Sequence, residues 1–318
     1  MNRSSSSGSR INLQPKQLRH FLEVVESGSI SAACEVLNIT QPALSKSIKQ
    51  LELRLGIDLF QRLPTGVALT RYGEIFARRA RLMEMEYRHA LAEIDAAKYG
   101  AAGTIRVGAG PGWIDTMLPQ VIADFQEQHP RIKFTLESGV IDTLIPRVLN
   151  GDLDVVCSSL DFPKHPELVK EHLVDMKHAV FASIDHPLAH KDLVVPSDLS
   201  QYPWIAPLED HVGRERLESF FASSELDPPN IRAEVASSFT AILKFVAMGS
   251  YLVSAPKMFE SDAARYGLKV VLADERLWET PAGISFRYTD KPHPVRNSFT
   301  ALLRSHFQEY VRTANTLE

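Results

Sequence analysis

Along the first sixty residues, apolar side chains recur at helical spacing in three short bursts. Leu18, Phe21, Leu22 and Val25 fall three or four apart and predict a helix over residues 15–26. Pro15 fits its first turn, where a missing N–H costs nothing. Gly28 ends it, and Ser29 stands where it can cap a second helix over 30–37. Ala32 and Ala33 there leave room for another helix. Asn38-Ile39 reads as a turn and Thr40 takes the N-cap of a third helix, 41–55, with Pro42 in its first turn. That helix turns Leu44, Ile48, Leu51 and Leu55 inward, leaving Gln41, Ser45 and Lys49 as an outward row beside Pro42 and Lys46. Within 58–70, two apolar runs flank Pro64-Thr65-Gly66, the pattern of two short strands and a turn. Next, Phe76, Ala80, Met83, Tyr87, Ala90 and Ile94 alternate steps of four and three, the a/d seam of a paired helix over 71–98.

From residue 104 the period changes. TIRVGA, RIKFTLES and LDVVCS read as strands separated by helices over 113–128 and 141–149, a βαβαβ unit. A second α/β unit starts near 175. It runs HAVFAS, PWIAP, a helix over 213–222, IRAEV, a helix over 239–248, and YLVSAP. GISFRY and a closing amphipathic helix over 294–312 then return. The predicted organisation is an all-α winged helix-turn-helix over 13–70, a linker helix over 71–98, a hinge over 99–103, and a two-lobed α/β domain. One lobe takes 104–174 and 284–318, the other 175–283. Residues 1–12, MNRSSSSGSRIN, are polar and read as a loose tail without the apolar stretch of a signal peptide.

Charge sharpens this picture. Residues 1–81 hold 12 Lys/Arg against 6 Asp/Glu, whereas the rest hold 23 against 33. A basic head on an acidic body suggests different partners for the two parts. In the head, the outward row of the third helix suits a DNA major groove: Gln pairs with adenine, Ser reaches a phosphate or base edge, and Lys neutralises phosphate. Arg62 and Arg71 bracket the hairpin where they can touch phosphates. The candidate DNA-binding set is Thr40, Gln41, Pro42, Ser45, Lys46, Lys49, Arg62 and Arg71. A paired linker helix of roughly 40 Å can hold two such heads about one DNA turn apart. Cys34 and Cys157 form no zinc or disulfide pattern and fit a reducing compartment. No run is long and apolar enough for a membrane span, so the expected location is cytoplasmic.

The stretch GAGPGW, 108–113, follows a strand and opens a helix, as the phosphate-binding turn of a dinucleotide enzyme does. That fingerprint needs a third small residue where Trp113 stands, so no nucleotide cofactor is expected. The geometry that remains is a cleft with helix N-termini at strand ends. Gly110, Gly112, Trp113, Ser138 and Ser158 would line it from the first unit, with Ser237, Ser238 and Phe239 from the second. Converging N-termini favour an anion such as a carboxylate, and Trp113 and Phe239 could hold an apolar or aromatic body. Two other readings are an enzyme and a solute-binding protein, each with an accessory helical domain. No G-x-S-x-G, H-E-x-x-H or P-loop supports the first, and the missing signal peptide opposes the second.

The run FLEVVESGSISAACEVLNITQPALSKSIKQLELRLGIDLFQRLPTGVALTRYGE resembles the winged helix-turn-helix of LysR-type transcriptional regulators. Tyr72 departs from it, standing where that family more often has a small residue. The resemblance extends, more weakly, over the whole chain. It implies a non-enzymatic regulator of promoter DNA, paired through the linker helix into a dimer and further into a tetramer. It also implies an effector domain like periplasmic binding proteins, with a small-molecule ligand between the lobes. Carried over position by position, it adds His211 and Val212 to the cleft residues.

Overall fold

The computed structural model describes residues 14–63, 66–99, 103–208, 210–236, 238–289 and 294–315. Within these, the side chains of residues 62, 92, 93, 95–99, 311 and 313–315 fall outside the description. The expected tail, the turn residues Pro64 and Thr65, hinge residues 100–102 and Ser237 lie outside the described residues, as does the side chain of Arg62. The chain divides into two compact units near residue 91, inside a long helix rather than at the expected hinge.

In the first unit, α1 (Pro15–Ser27), α2 (Ile30–Leu37) and α3 (Gln41–Leu55) precede a hairpin of β1 (Phe60–Leu63) and β2 (Gly66–Leu69), and α4 (Arg71–Tyr99) follows. Ser29 caps α2, its hydroxyl accepting from Ala32 N at 3.1 Å. Thr40 holds extended backbone at the start of α3, but its hydroxyl makes no capping bond. The core gathers on Phe21, whose ring lies 5.2 Å from Phe60 and 5.0 Å from Phe76. Leu44, Ile48 and Leu51 are buried there as their spacing predicts, joined by Leu59, Ala77 and Ala80. A Cβ on Gly73 would meet the Leu59 carbonyl oxygen at 2.1 Å, so the start of α4 presses directly on the wing. Glu52 Oε1 accepts from Leu59 N at 2.8 Å and Phe60 N at 3.2 Å, fastening α3 to the same wing.

This packing corrects the expected pairing seam. Phe76 and Ala80 belong to the unit's own core, Ala80 being fully buried. Only from Met83 onward is the seam exposed, through Met83, Tyr87, Ala90 and Ile94.

The second unit contains β3 (Gly103–Ala109), α5 (Pro111–Thr116), α6 (Leu118–Gln128), β4 (Ile132–Ser138), α7 (Ile141–Asn150), β5 (Val155–Ser159) and β6 (Leu168–Ser183). Then come α8 (Pro196–Leu199), β7 (Trp204–Pro207), α9 (His211–Ser223), β8 (Ile231–Val235), α10 (Phe239–Ala247), β9 (Val253–Pro256), α11 (Glu260–Ala264), β10 (Leu268–Leu272), β11 (Glu279–Arg287) and α12 (Pro294–Asn315). The helix expected over 113–128 is two helices meeting at Met117. Pro119 explains the break, because it has no N–H to bond a carbonyl of the preceding turn.

Lobe I is built on the order β4-β3-β5-β11-β6; β3 is parallel to β4 and β5, and β11 is antiparallel to β5 and β6. Lobe II uses the far end of the same strand: residues from His178 onward pair with β9 and β10. β7 runs parallel to β8 and meets β9's flank through Trp204 and Leu252. Two strands therefore divide the work of crossing between lobes. β6 passes over between Lys177 and His178, and the chain returns just before Glu279, where β11 begins opposite Lys177. These crossings shift the expected lobe limits of 174/175 and 283/284 by a few residues. Polar Lys170, Glu171, His172 and Asp175 had hidden the first half of β6.

α12 closes lobe I. Phe299, Leu303 and Phe307, four apart, are buried. The Phe299 ring lies 5.0 Å from Phe134 and 5.5 Å from Phe125. Phe299→Ala should therefore destabilise the second unit by about 3–5 kcal/mol, read as a lowered denaturation midpoint for that unit. A loss below about 1 kcal/mol would contradict this placement.

Candidate functional site

The first candidate surface is α3. Gln41, Pro42, Lys46 and Lys49 are exposed and Ser45 is half-buried, while Leu44, Ile48 and Leu51 anchor the opposite face. Thr40 and Arg71 are exposed as well. Behind the outward row, Ser47 Oγ sits 2.8 Å from Nδ1 of His20 on α1. Burial, then the charges of Lys16 and Arg19, lower the His20 pKa, which favours a neutral ring beside the helix. The surface thus offers amide, hydroxyl and ammonium groups on a helix whose rear is fixed by packing.

The second candidate is a cavity of about 190 Å³ between the two lobes. Its walls carry Trp113, Met176, Phe239, Phe259 and Trp278, and its polar groups include Ser158, His178, Arg216, Ser254 and Thr280. Of the cleft residues expected from the sequence, Gly110, Gly112, Trp113, Ser158, Val212, Ser238 and Phe239 line it. Ser138 and His211 do not, and His211 is exposed at the start of α9. Trp113 has a second duty: it is 4% exposed and stacks on Phe307 at 4.9 Å, so it is also a core residue of lobe I. Gly112 is needed for close packing, since a Cβ there would meet the Phe259 ring at 2.6 Å.

Arg216, His178, Ser254 and Thr280 were not foreseen. Arg216 sits mid-helix in α9 and crosses to lobe I, where its Nη2 is 2.5 Å from Asp161 Oδ2. A second contact crosses nearby. Asp115 of α5 accepts from Thr240 N at 2.8 Å and from its hydroxyl at 2.9 Å, at the N-terminus of α10. Two of the helix N-termini at the cavity are held by the chain's own side chains, Asp210 on α9 and Ser238 with Asp115 on α10, whereas α5 starts at Gly110 without a side-chain cap. The lining also contains the Arg216 guanidinium.

His178 stacks on Trp278 at 4.6 Å. Burial, and then the positive charge of Arg216, push its pKa down to about 3. The ring is neutral through the physiological range. Cys157 is fully buried, and burial raises its thiol pKa, which suits a packing residue. No cluster of metal-ligating side chains occurs among the described residues.

Residues 15–74 match the bacterial regulatory helix-turn-helix proteins of the lysR family, and residues 99–308 match the LysR substrate binding domain. The chain belongs to the LysR family. It is 30% identical over 298 residues to the HTH-type transcriptional regulator YybE of Bacillus subtilis, covering 92% of this chain and 99% of that one. To the HTH-type transcriptional regulator PcaQ of Agrobacterium fabrum it is 30% identical over 223 residues, 70% of this chain and 72% of the relative. The solved structure of ArgP from Mycobacterium tuberculosis shares the fold with a TM-score of 0.68 at 20% identity, over 93% and 97% of the two chains. CbnR, a LysR family transcriptional regulator, does so with a TM-score of 0.63 at 22% identity, over 95% and 99%. The protein is a LysR-type DNA-binding transcriptional regulator with an effector-binding domain. Among the described residues, no helix is long and apolar enough to cross a membrane.

The half-buried His178 gives this domain a pH signature. Its folded pKa lies below the unfolded value of 6.5, so the unfolded chain binds the proton first on acidification. Its contribution to stability is full above pH 6.5 and is lost as pH falls toward about 3. Between pH 6.5 and 5 the loss is about 2 kcal/mol. His178→Phe should flatten this part of the stability–pH curve, followed by chemical denaturation; an identical slope in both proteins would refute it.

Proposed function

We propose that this regulator reads promoter DNA with the outward row of α3 and senses a small, apolar or aromatic carboxylate between its lobes. One observation carries the effector half: an aromatic-walled cavity holds a guanidinium that pairs with a carboxylate of the opposite lobe. An effector carboxylate would compete with Asp161 for Arg216, replacing one carboxylate by another. Exchange of that partner ties ligand binding to the relation between the lobes. A ligand shifts that equilibrium only by its differential affinity for the two arrangements. The cavity volume suits a single ring with substituents, since cavities of about 150 Å³ accept benzene.

On DNA, Gln41 and Ser45 would face base edges, with Thr40, Lys46, Lys49, Arg62 and Arg71 on phosphates. Pro42 would set the approach of the helix start. A second copy would pair along the exposed run Met83, Tyr87, Ala90 and Ile94, and two such dimers would make a tetramer. CbnR, which shares the fold, has been solved in complex with its target DNA, which supports a DNA-binding role.

Three measurements test this reading. The full-length protein is titrated against the duplex upstream of its own gene and against a scrambled duplex, at several salt concentrations. Gln41→Ala should cost about 1–3 kcal/mol of selectivity, and Lys49→Ala should reduce the salt slope by about one. Unchanged binding in both would remove α3 from the groove. In sedimentation, Tyr87→Asp should shift the protein toward monomer, and an intact assembly would refute pairing through the exposed run. Calorimetry with small aromatic acids and their uncharged amides should show binding of the acids only, weakened about tenfold or more by Arg216→Gln. Equal binding of acids and amides would overturn the carboxylate assignment.

A further inference from the structure

Where the two crossing strands leave and re-enter the lobes, the cavity has a polar corner that its walls leave under-satisfied. His178 is the first residue of β6 to pair in lobe II, Thr280 is the second of β11, and Ser254 lies on β9; all three line the cavity. His178 Nε2 is 3.3 Å from Thr280 Oγ1, and Nδ1 is 3.4 Å from Ser254 Oγ. Both distances exceed the usual range for such bonds, so a competing partner displaces little. The Trp278 ring lies against the imidazole, and its buried Nε1–H has no hydrogen-bond partner among the described residues.

The donor and acceptor count is restrictive. A neutral imidazole has one N–H and one bare nitrogen. One of the two hydroxyls therefore accepts from the ring and keeps its own hydrogen, while the other donates to the ring and keeps its lone pairs. No other side-chain hydrogen bond of Ser254 or Thr280 occurs among the described residues. The corner consequently offers one spare O–H and spare lone pairs, with no charge beside them on these three residues. A carboxylate would want several donors and an ammonium several acceptors. A hydroxyl donates once and accepts, which matches. Arg216 is near enough for its charge to act on His178, so both ends lie within one small cavity.

We propose that His178, Thr280 and Ser254 recognise an uncharged hydroxyl group on the effector, making the ligand a hydroxylated small acid. This rests on the carboxylate reading above, with Arg216 taking the acid and the hinge corner taking the hydroxyl.

The test measures affinities of the full-length protein for benzoate, the three monohydroxybenzoates, phenol and benzyl alcohol. The same set is run on Thr280→Val, which keeps the side-chain shape, and on His178→Phe. One hydroxybenzoate isomer should bind wild type about tenfold or more tighter than benzoate. In Thr280→Val that ratio should fall to about twofold or less. Should His178→Phe fail to fold, the Thr280→Val ratio decides alone. A wild type that binds benzoate and every isomer equally overturns the hydroxyl site and leaves the carboxylate reading standing. A preference that survives both variants overturns the assignment to these residues. If phenol or benzyl alcohol binds in a Thr280-dependent way while no acid binds, the carboxylate reading falls and the hydroxyl site stands. If none of the six compounds binds at millimolar concentration, both fall.

Discussion

The effector domain depends on one backbone pairing. β6 and β11 run antiparallel from Leu168 opposite Arg287 to Lys177 opposite Glu279, and these two strands connect the lobes. β6 is the edge strand of lobe I, paired with β11, and its far end lies between β9 and β10 in lobe II, so the pairing joins the two sheets. The ladder also has to bend, and its register shifts between Ala282 and Gly283. A Cβ on Gly283 would meet the Glu171 carbonyl oxygen at 2.0 Å, so only glycine allows the strands to approach there. The cavity opens beside this ladder because that is where two packed sheets part while their backbone stays continuous.

Around that opening the charges are already allotted. Both acids that cross the gap, Asp115 and Asp161, come from lobe I, and their donors, Thr240 and Arg216, come from lobe II. The starts of α9 and α10, which look like anion traps in the sequence, are capped by the chain itself. What stays available is one guanidinium held by an exchangeable partner, a neutral imidazole and an aromatic wall. A cavity built this way selects by shape and by a few polar points, as small-molecule sites generally do.

Local patterns made the first unit readable. The limits of α3, Gln41 to Leu55, follow from the spacing of Leu44, Ile48 and Leu51 and from Gly56 at its end. Phe76 and Ala80 misled because the period that suits a partner helix also suits the domain's own core; burial separates the two, and burial depends on distant residues such as Phe21. In the second unit, Gly110, Ser158 and Phe239 at strand ends line the cavity, and such ends are marked by local turn chemistry. Arg216 and His178 gave no local sign. Arg216 is an ordinary mid-helix cation until Asp161 is brought opposite it by the fold, and His178 sits inside a strand whose lobe change no short window reveals.

The contact of Gly73 with Leu59 has a mechanical meaning. Where a helix meets its neighbour backbone to backbone, no flexible side chain lies between to absorb rotation. Glu52 fastens α3 to the same hairpin, so α3, the hairpin and the root of α4 form one stiff head. A rotation of the first turns of α4 would carry α3 with it, as through a spanner rather than a spring.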